Sequence, residues 1–121
     1  MKTSLKRDNQ KSAIRVGSTM YISGQLGISQ ETGSLVPGGI SPETRQALTK
    51  LGKVLEAGRM SYKNVVKCTV YLADLKEAAE MNKIYSEFFP EEPPARVAFQ
   101  VARLQLDARV EIEAIAVDCS D

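Results

Sequence analysis

The sequence has no histidine and no tryptophan, and only two cysteines occur among its 121 residues. The absence of histidine excludes Ser–His and Cys–His nucleophile pairs and most zinc sites. Cys68 and Cys119 lie far apart and fit no metal-ligand spacing. Any catalysis must therefore use carboxylate, amine, guanidinium, phenol, thiol or backbone groups.

Long apolar runs are also absent, and none approaches the roughly 20 residues of a membrane-spanning helix. Residues 1–12 are polar and lack the apolar segment of a secretory signal. We therefore expect a cytoplasmic protein without a membrane partner, with a mitochondrial location as the alternative. The formal net charge of +1 argues against a surface dedicated to nucleic acid.

The chain has the length of one ordinary domain, and 43% of its residues are hydrophobic, so a substantial core can form. Residues 1–11 are polar and basic, and they predict a flexible N-terminal arm. Residues 12–121 contain the apolar periodic segments and predict a single domain.

The apolar spacing predicts the element order β-β-α-β-α-β-β. The first helix begins with Ser41 as N-cap and ends at Gly58, and Asp74 caps the second helix. This order is typical of an α+β fold in which two helices cover one face of a mainly antiparallel sheet. The open face favours contact with another subunit. The predicted strands lie within residues 12–24, 64–73, 95–102 and 109–117, and the helices within 41–57 and 75–88.

One charged residue interrupts the apolar pattern of the strand at 95–102. Arg96 lies beside Val97 and Phe99, and a guanidinium there needs an anion, either a protein carboxylate or a ligand. If the last two strands pair as a hairpin, Arg96 shares a polar face with Glu111 but lies roughly 13 Å from it. We therefore expect an oligomer whose interface contains these groups. An ordinary structural ion pair of Arg96 is the alternative.

Several sequence segments also resemble a known family. The segments YISGQLG, NVVKCTVYLAD, MNKIYSEFFP, PPARVAFQVARL and VEIEAIAV occur in the order typical of the Rid (YjgF) family of reactive-intermediate imine deaminases. The resemblance covers about residues 12–117, and the P-A-R motif followed by E-I-E is its most specific part.

The resemblance implies a chorismate-mutase-like α+β fold and a homotrimer with clefts between subunits. It implies hydrolysis of 2-imino acids, such as 2-iminobutanoate and 2-iminopropanoate, to 2-keto acids and ammonia. The implied partner is thus a small 2-imino or 2-keto acid, and no metal or organic cofactor is needed.

The resemblance also assigns site residues. Arg96 matches the family arginine that binds the substrate carboxylate. Glu111 matches the glutamate that positions and deprotonates the attacking water or relays a proton to the leaving amine. The positions that line the family cleft correspond to Ser23, Gly24, Asn82 and Ala98.

The chain departs from the family pattern at Gln10, which stands where the family has a tyrosine. That departure motivates one alternative, a non-catalytic protein that binds small carboxylates or acts as a chaperone-like stress protein. The basic arm motivates another, a ribonuclease or translation inhibitor. Few aromatic residues and balanced charge argue against a nucleic-acid partner.

Overall fold

The computed structural model describes residues 2–7 and 10–119. Six strands form one mixed sheet in the order β1-β2-β3-β6-β4-β5. Neighbouring strands are antiparallel except β4 and β5, which are parallel. The elements are β1 (Lys2–Arg7), β2 (Gln10–Val16), β3 (Thr19–Leu26), α1 (Ile40–Ala57), β4 (Val65–Leu72), α2 (Ala78–Phe88), β5 (Ala95–Gln100) and β6 (Val110–Val117).

The predicted α+β class is confirmed, because both helices pack on one side of the sheet around a single main core. One strand was missed by the sequence analysis. Residues 2–7, within the predicted arm 1–11, pair antiparallel with β2 as an edge strand. The predicted flexibility of the arm stays a prediction. Among the described residues, no helix is long and apolar enough to span a membrane.

The start of α1 differs from the prediction. The helix begins at Ile40, and its N-cap is Gly39, which has a φ of 92° that glycine adopts readily. Ser41 lies inside the first turn, where its hydroxyl donates to Glu80 of α2 at 3.4 Å. The predicted end of α1 at Gly58 is confirmed. Asp74 caps a 3-10 turn, Leu75–Glu77, rather than α2 itself: its side chain accepts a hydrogen bond from the backbone N–H of Lys76, and the N-cap of α2 is Glu77.

The predicted hairpin of the last two strands is wrong. Within the described part of the chain, β6 pairs with β3 and β4 and β5 pairs with β4, so Arg96 lies opposite Cys68 and not on a strand next to β6. The physical reason is the helix between β4 and β5. It carries the chain back across the sheet, so that β5 runs parallel to β4 at the edge.

The two faces of β5 are consequently the reverse of the prediction. Arg96 and Ala98 point toward α2, and Ala98 packs against the main core. Val97 and Phe99 lie on the open face and are 43% and 42% exposed. The Phe99 ring packs edge-on against Tyr71, with the ring centroids 5.3 Å apart.

One extra residue interrupts β3. Ile22 lies opposite Ala114 and Gln25 lies opposite Ile112, so three steps on β3 face two steps on β6. This β-bulge brings Ser23 and Gly24 together beside β6. Just beyond it, Leu26 joins a small second core that is separate from the main one; its other buried members are Leu104 and Ala108.

Candidate functional site

Arg96 is held by two side chains of α2. Its Nη1 donates a hydrogen bond of 2.6 Å to the Asn82 Oδ1, and its Cζ lies 4.7 Å from the centroid of the Tyr85 ring. The Met81 sulfur lies 3.9 Å from the same Nη1. The interpretation of Arg96 as a structural ion-pair residue finds no support, since none of the carboxylates in the described part of the chain forms a salt bridge with it.

Asn82 and Ala98, both predicted to line the cleft, lie next to Arg96. Asn82 projects from the middle of α2, and Ala98 follows Arg96 by two residues and therefore shares its face of β5. We call Arg96, Asn82 and Ala98 the arginine group.

The other predicted residues meet at the β3 bulge. Glu111 lies on the open face of β6, and its carboxyl carbon is 2.7 Å from where a Cβ on Gly24 would be. Any Cβ at position 24 would therefore displace this side chain. Ser23 precedes it, and its hydroxyl donates to the Ser12 carbonyl at 3.0 Å. We call Glu111, Ser23 and Gly24 the glutamate group.

Burial raises the pKa of Glu111 above its usual value, and the negative charge of Glu113 adds to this effect. Glu113 lies two residues along the same face of β6 and accepts a hydrogen bond from the Tyr71 hydroxyl. That hydrogen bond, reinforced by burial, raises the pKa of Tyr71 to about 12. Glu111 thus retains its proton to a higher pH than an ordinary glutamate, which suits a group that exchanges protons with a substrate.

The two groups do not meet within one chain. Glu111 lies opposite Tyr71, and Tyr71 lies opposite Phe99, three residues beyond Arg96. The two side chains are therefore separated by about 10 Å across the sheet and about 10 Å along it. They also project from opposite faces of the sheet, so the two groups form separate clusters within one chain.

Sequence reasoning missed Tyr85, Tyr71 and Glu113 as neighbours of the site. A signal for Tyr85 was available, because it follows Asn82 by three residues and so shares its helix face. The contact between Tyr71 and Glu113 depends on the β4–β6 pairing, which the incorrect hairpin concealed. The side chain of Gln10, the predicted departure from the family, lies outside the described part of the structure.

Across residues 2–7 and 10–119, no cluster of cysteine, aspartate and glutamate side chains could hold a metal ion. The available chemistry is a guanidinium for an anion and a carboxyl group for proton transfer. Neither the arginine group nor the glutamate group contains a thiol or an imidazole.

Comparisons with known proteins agree in one family. The family model described as Endoribonuclease L-PSP matches residues 4–118. The 2-iminobutanoate/2-iminopropanoate deaminase of Bos taurus is 50% identical over 105 residues, which are 87% of this chain and 77% of the bovine protein.

Solved structures share the fold. RidA from an Antarctic Psychrobacter is 36% identical, with a TM-score of 0.88 over 95% of this chain and 93% of that chain. TdcF from E. coli, crystallised with bound serine, is 32% identical, with a TM-score of 0.86 over 93% of this chain and 91% of that chain.

Proposed function

We propose that this protein hydrolyses reactive 2-imino acids to 2-keto acids and ammonia, because the chain belongs to the Endoribonuclease L-PSP family, whose members include 2-iminobutanoate/2-iminopropanoate deaminases. The Rid resemblance predicted from the sequence is confirmed by the same findings. The observation that carries the proposal is Arg96, a guanidinium held in place by a neutral amide and an aromatic ring rather than by a carboxylate.

The Arg96 guanidinium binds the substrate carboxylate. Asn82 occupies one N–H of Nη1, and the planar fork of an arginine offers further N–H groups in a geometry that matches a carboxylate. A serine molecule bound to TdcF is consistent with recognition of small amino-acid-like carboxylates in this family. Binding through the carboxylate leaves the imine carbon of the substrate free for attack.

The Glu111 carboxylate positions a water molecule and accepts its proton as the oxygen attacks the imine carbon. The protonated Glu111 then gives this proton to the nitrogen of the resulting carbinolamine, and ammonia leaves. The hydroxyl oxygen becomes the carbonyl oxygen, and its proton passes to the Glu111 carboxylate and from there to solvent. One water is consumed, and the C=N bond of the imine is replaced by a C=O bond. An iminium carbon is already electrophilic, so the reaction needs neither a covalent intermediate nor a metal.

Two protomers are needed to complete this site, since the arginine and glutamate groups lie apart within one chain. The family resemblance favours a homotrimer with its clefts between subunits. The exposed apolar side chains of the open sheet face support such an assembly; they are Tyr21, Val97 and Phe99, each between 42% and 52% exposed. A cytoplasmic location and the absence of a nucleic-acid partner stay predictions.

The deaminase assay generates 2-iminopropanoate with an amino-acid oxidase and follows its decay with and without the protein. The wild type should accelerate the decay, and Arg96→Ala and Glu111→Gln should each abolish the acceleration. Arg45→Ala is the matched control, because Arg45 is an exposed arginine in a surface ion pair with Glu87 and such pairs contribute little. A wild-type protein that leaves the decay rate unchanged would refute the proposal.

The alternatives give other results in the same experiment. A non-catalytic protein would bind 2-ketobutanoate in calorimetry without accelerating the decay. A ribonuclease would cleave RNA in the column fractions that contain the protein. The Arg96→Ala variant would cleave RNA as well.

Subunit mixing tests the shared site. Arg96→Ala and Glu111→Gln chains, unfolded and refolded together, should recover part of the activity because some interfaces then carry both intact groups. Light scattering should first show that the refolded particles contain several chains. If such particles recover no deaminase activity, the whole site lies within one subunit.

A further inference from the structure

Tyr85 covers one face of the Arg96 guanidinium from the middle of α2. Its ring centroid lies 4.7 Å from the Arg96 Cζ, which is within the range of a cation–π interaction. The ring is itself fixed, because Tyr85 is only 6% exposed and packs on Phe89 with the two ring centroids 4.7 Å apart. The guanidinium therefore rests on a rigid aromatic surface.

The hydroxyl of Tyr85 takes no part in the contact with Arg96. It is buried and forms no hydrogen bond of ordinary geometry in the described part of the chain, although it neighbours the Cys68 thiol, a weak hydrogen-bonding group. Burial raises the pKa of Tyr85, and the neighbouring Cys68 thiol raises it further, so the phenol stays neutral. A neutral ring attracts a cation through its π face alone and does not neutralise it, which leaves the full charge of Arg96 available to a ligand.

Asn82 supplies the second constraint. Its Oδ1 accepts from Nη1 at 2.6 Å, so one corner of the guanidinium is fixed by a hydrogen bond while one face is covered by the ring. These two contacts restrict the rotation of the planar group. Among the described residues, the hydrogen bonds of Arg96 come from Nη1, to Asn82 and weakly to the Met81 sulfur, so Nε and Nη2 are the donors left for two parallel hydrogen bonds to a carboxylate.

We propose that Tyr85 is a positioning residue whose ring, together with Asn82, holds the Arg96 guanidinium so that its Nε–Nη2 edge meets the carboxylate of a 2-imino acid. The inference rests on the proposed function for the identity of the substrate. The inference also explains how the protein gains affinity for the substrate carboxylate. Arg96 is oriented before the substrate arrives, so its long side chain loses little rotational freedom on binding.

A graded series at position 85 tests the role of the ring. Tyr85→Phe keeps the ring and removes the idle hydroxyl, whereas monofluoro- and trifluorophenylalanine at the same position keep the shape and progressively weaken the π face. We expect the Kd for 2-ketobutanoate and the KM for 2-iminopropanoate to match the wild type in Tyr85→Phe and to rise with each fluorination. Tyr85→Leu should raise both by about threefold to thirtyfold. The kcat should stay within about twofold throughout, because Tyr85 touches no reacting atom.

Tyr62→Leu is the matched control for packing. Tyr62 also makes edge-on contacts with two phenylalanines near the end of α2, and its hydroxyl donates to the Leu48 carbonyl at 2.6 Å. Its loss should lower the melting temperature and leave the Kd for 2-ketobutanoate unchanged. A purely structural role of Tyr85 would instead make the two leucine variants alike.

A second background separates action through Arg96 from any other effect. In Arg96→Ala protein, Tyr85→Leu should not weaken 2-ketobutanoate binding further. Equal Kd values for the phenylalanine, fluorinated and leucine variants would overturn the inference, and so would a loss in Tyr85→Phe as large as in Tyr85→Leu. If the wild type binds 2-ketobutanoate but shows no deaminase activity, the proposed function fails while the Kd series still tests Tyr85.

Discussion

Replacing Gly24 by alanine should impair catalysis more than folding. A Cβ at this position would lie 2.7 Å from the Glu111 Cδ and closer still to Oε2, whereas ordinary contacts begin at 3.4 Å, so the carboxylate must retreat by about 0.7 to 1 Å. It is the free end of a flexible side chain, and we therefore expect a loss of less than about 1 kcal/mol in the free energy of unfolding. A displacement of nearly 1 Å in a group that positions water should lower kcat by about 10- to 100-fold.

The assay compares kcat for 2-iminopropanoate with the melting temperature in the same preparations. Gly33→Ala is the matched control: Gly33 has a φ of 73° with open space around it, so alanine is strained there but contacts nothing. It should cost about 1 kcal/mol of stability and leave kcat unchanged. In a Glu111→Ala background, Gly24→Ala should have no further effect. A kcat for Gly24→Ala within twofold of the wild type would refute the assigned position of Glu111.

Three further changes have defined outcomes. Glu113→Gln removes a charge that helps raise the pKa of Glu111, so the acidic limb of kcat/KM against pH should move to lower pH; an unchanged limb would contradict the coupling. Burial also raises the pKa of Glu43, so the folded protein loses stability as the pH rises through that pKa. Glu43→Gln should therefore melt a few degrees higher than the wild type at pH 8 and at the same temperature at pH 4. A difference in melting temperature that grows as the pH falls would contradict this pH dependence. A chromogenic thiol reagent should titrate one cysteine quickly in the native protein and both after denaturation, because Cys119 is exposed whereas Cys68 is fully buried with a raised pKa. Two fast thiols would contradict that burial.

The elements of the fold could be predicted from local patterns, whereas their pairing could not. The spacing of apolar residues predicted both helices and the main strands, because burial on one face imposes a period that sequence shows directly. The assumption that consecutive strands pair led to the false hairpin of the last two. Nothing local to 95–117 indicates that β6 enters between β3 and β4 and leaves Arg96 on the edge strand.

The residues of the candidate site were predicted from the family resemblance rather than from the hydrophobic pattern. The structure brings Arg96 together with Asn82 and Glu111 together with Gly24, in two separate groups. The predicted face of Arg96 was wrong, and with it the 13 Å estimate. Arg96 and Glu111 are nevertheless apart within one chain, as predicted, but for a different reason: the strand β4 lies between β5 and β6.

The bulge in β3 has a consequence for how the chain tolerates changes of length. Without Gly24 the strand would alternate regularly from Ile22 to Leu26, and every flanking side chain would keep its present side and partner on β6. The hydrophobic interior therefore gains nothing from the additional residue. A chain shortened by this one glycine should fold as before and lose only the hollow against which the Glu111 carboxylate rests.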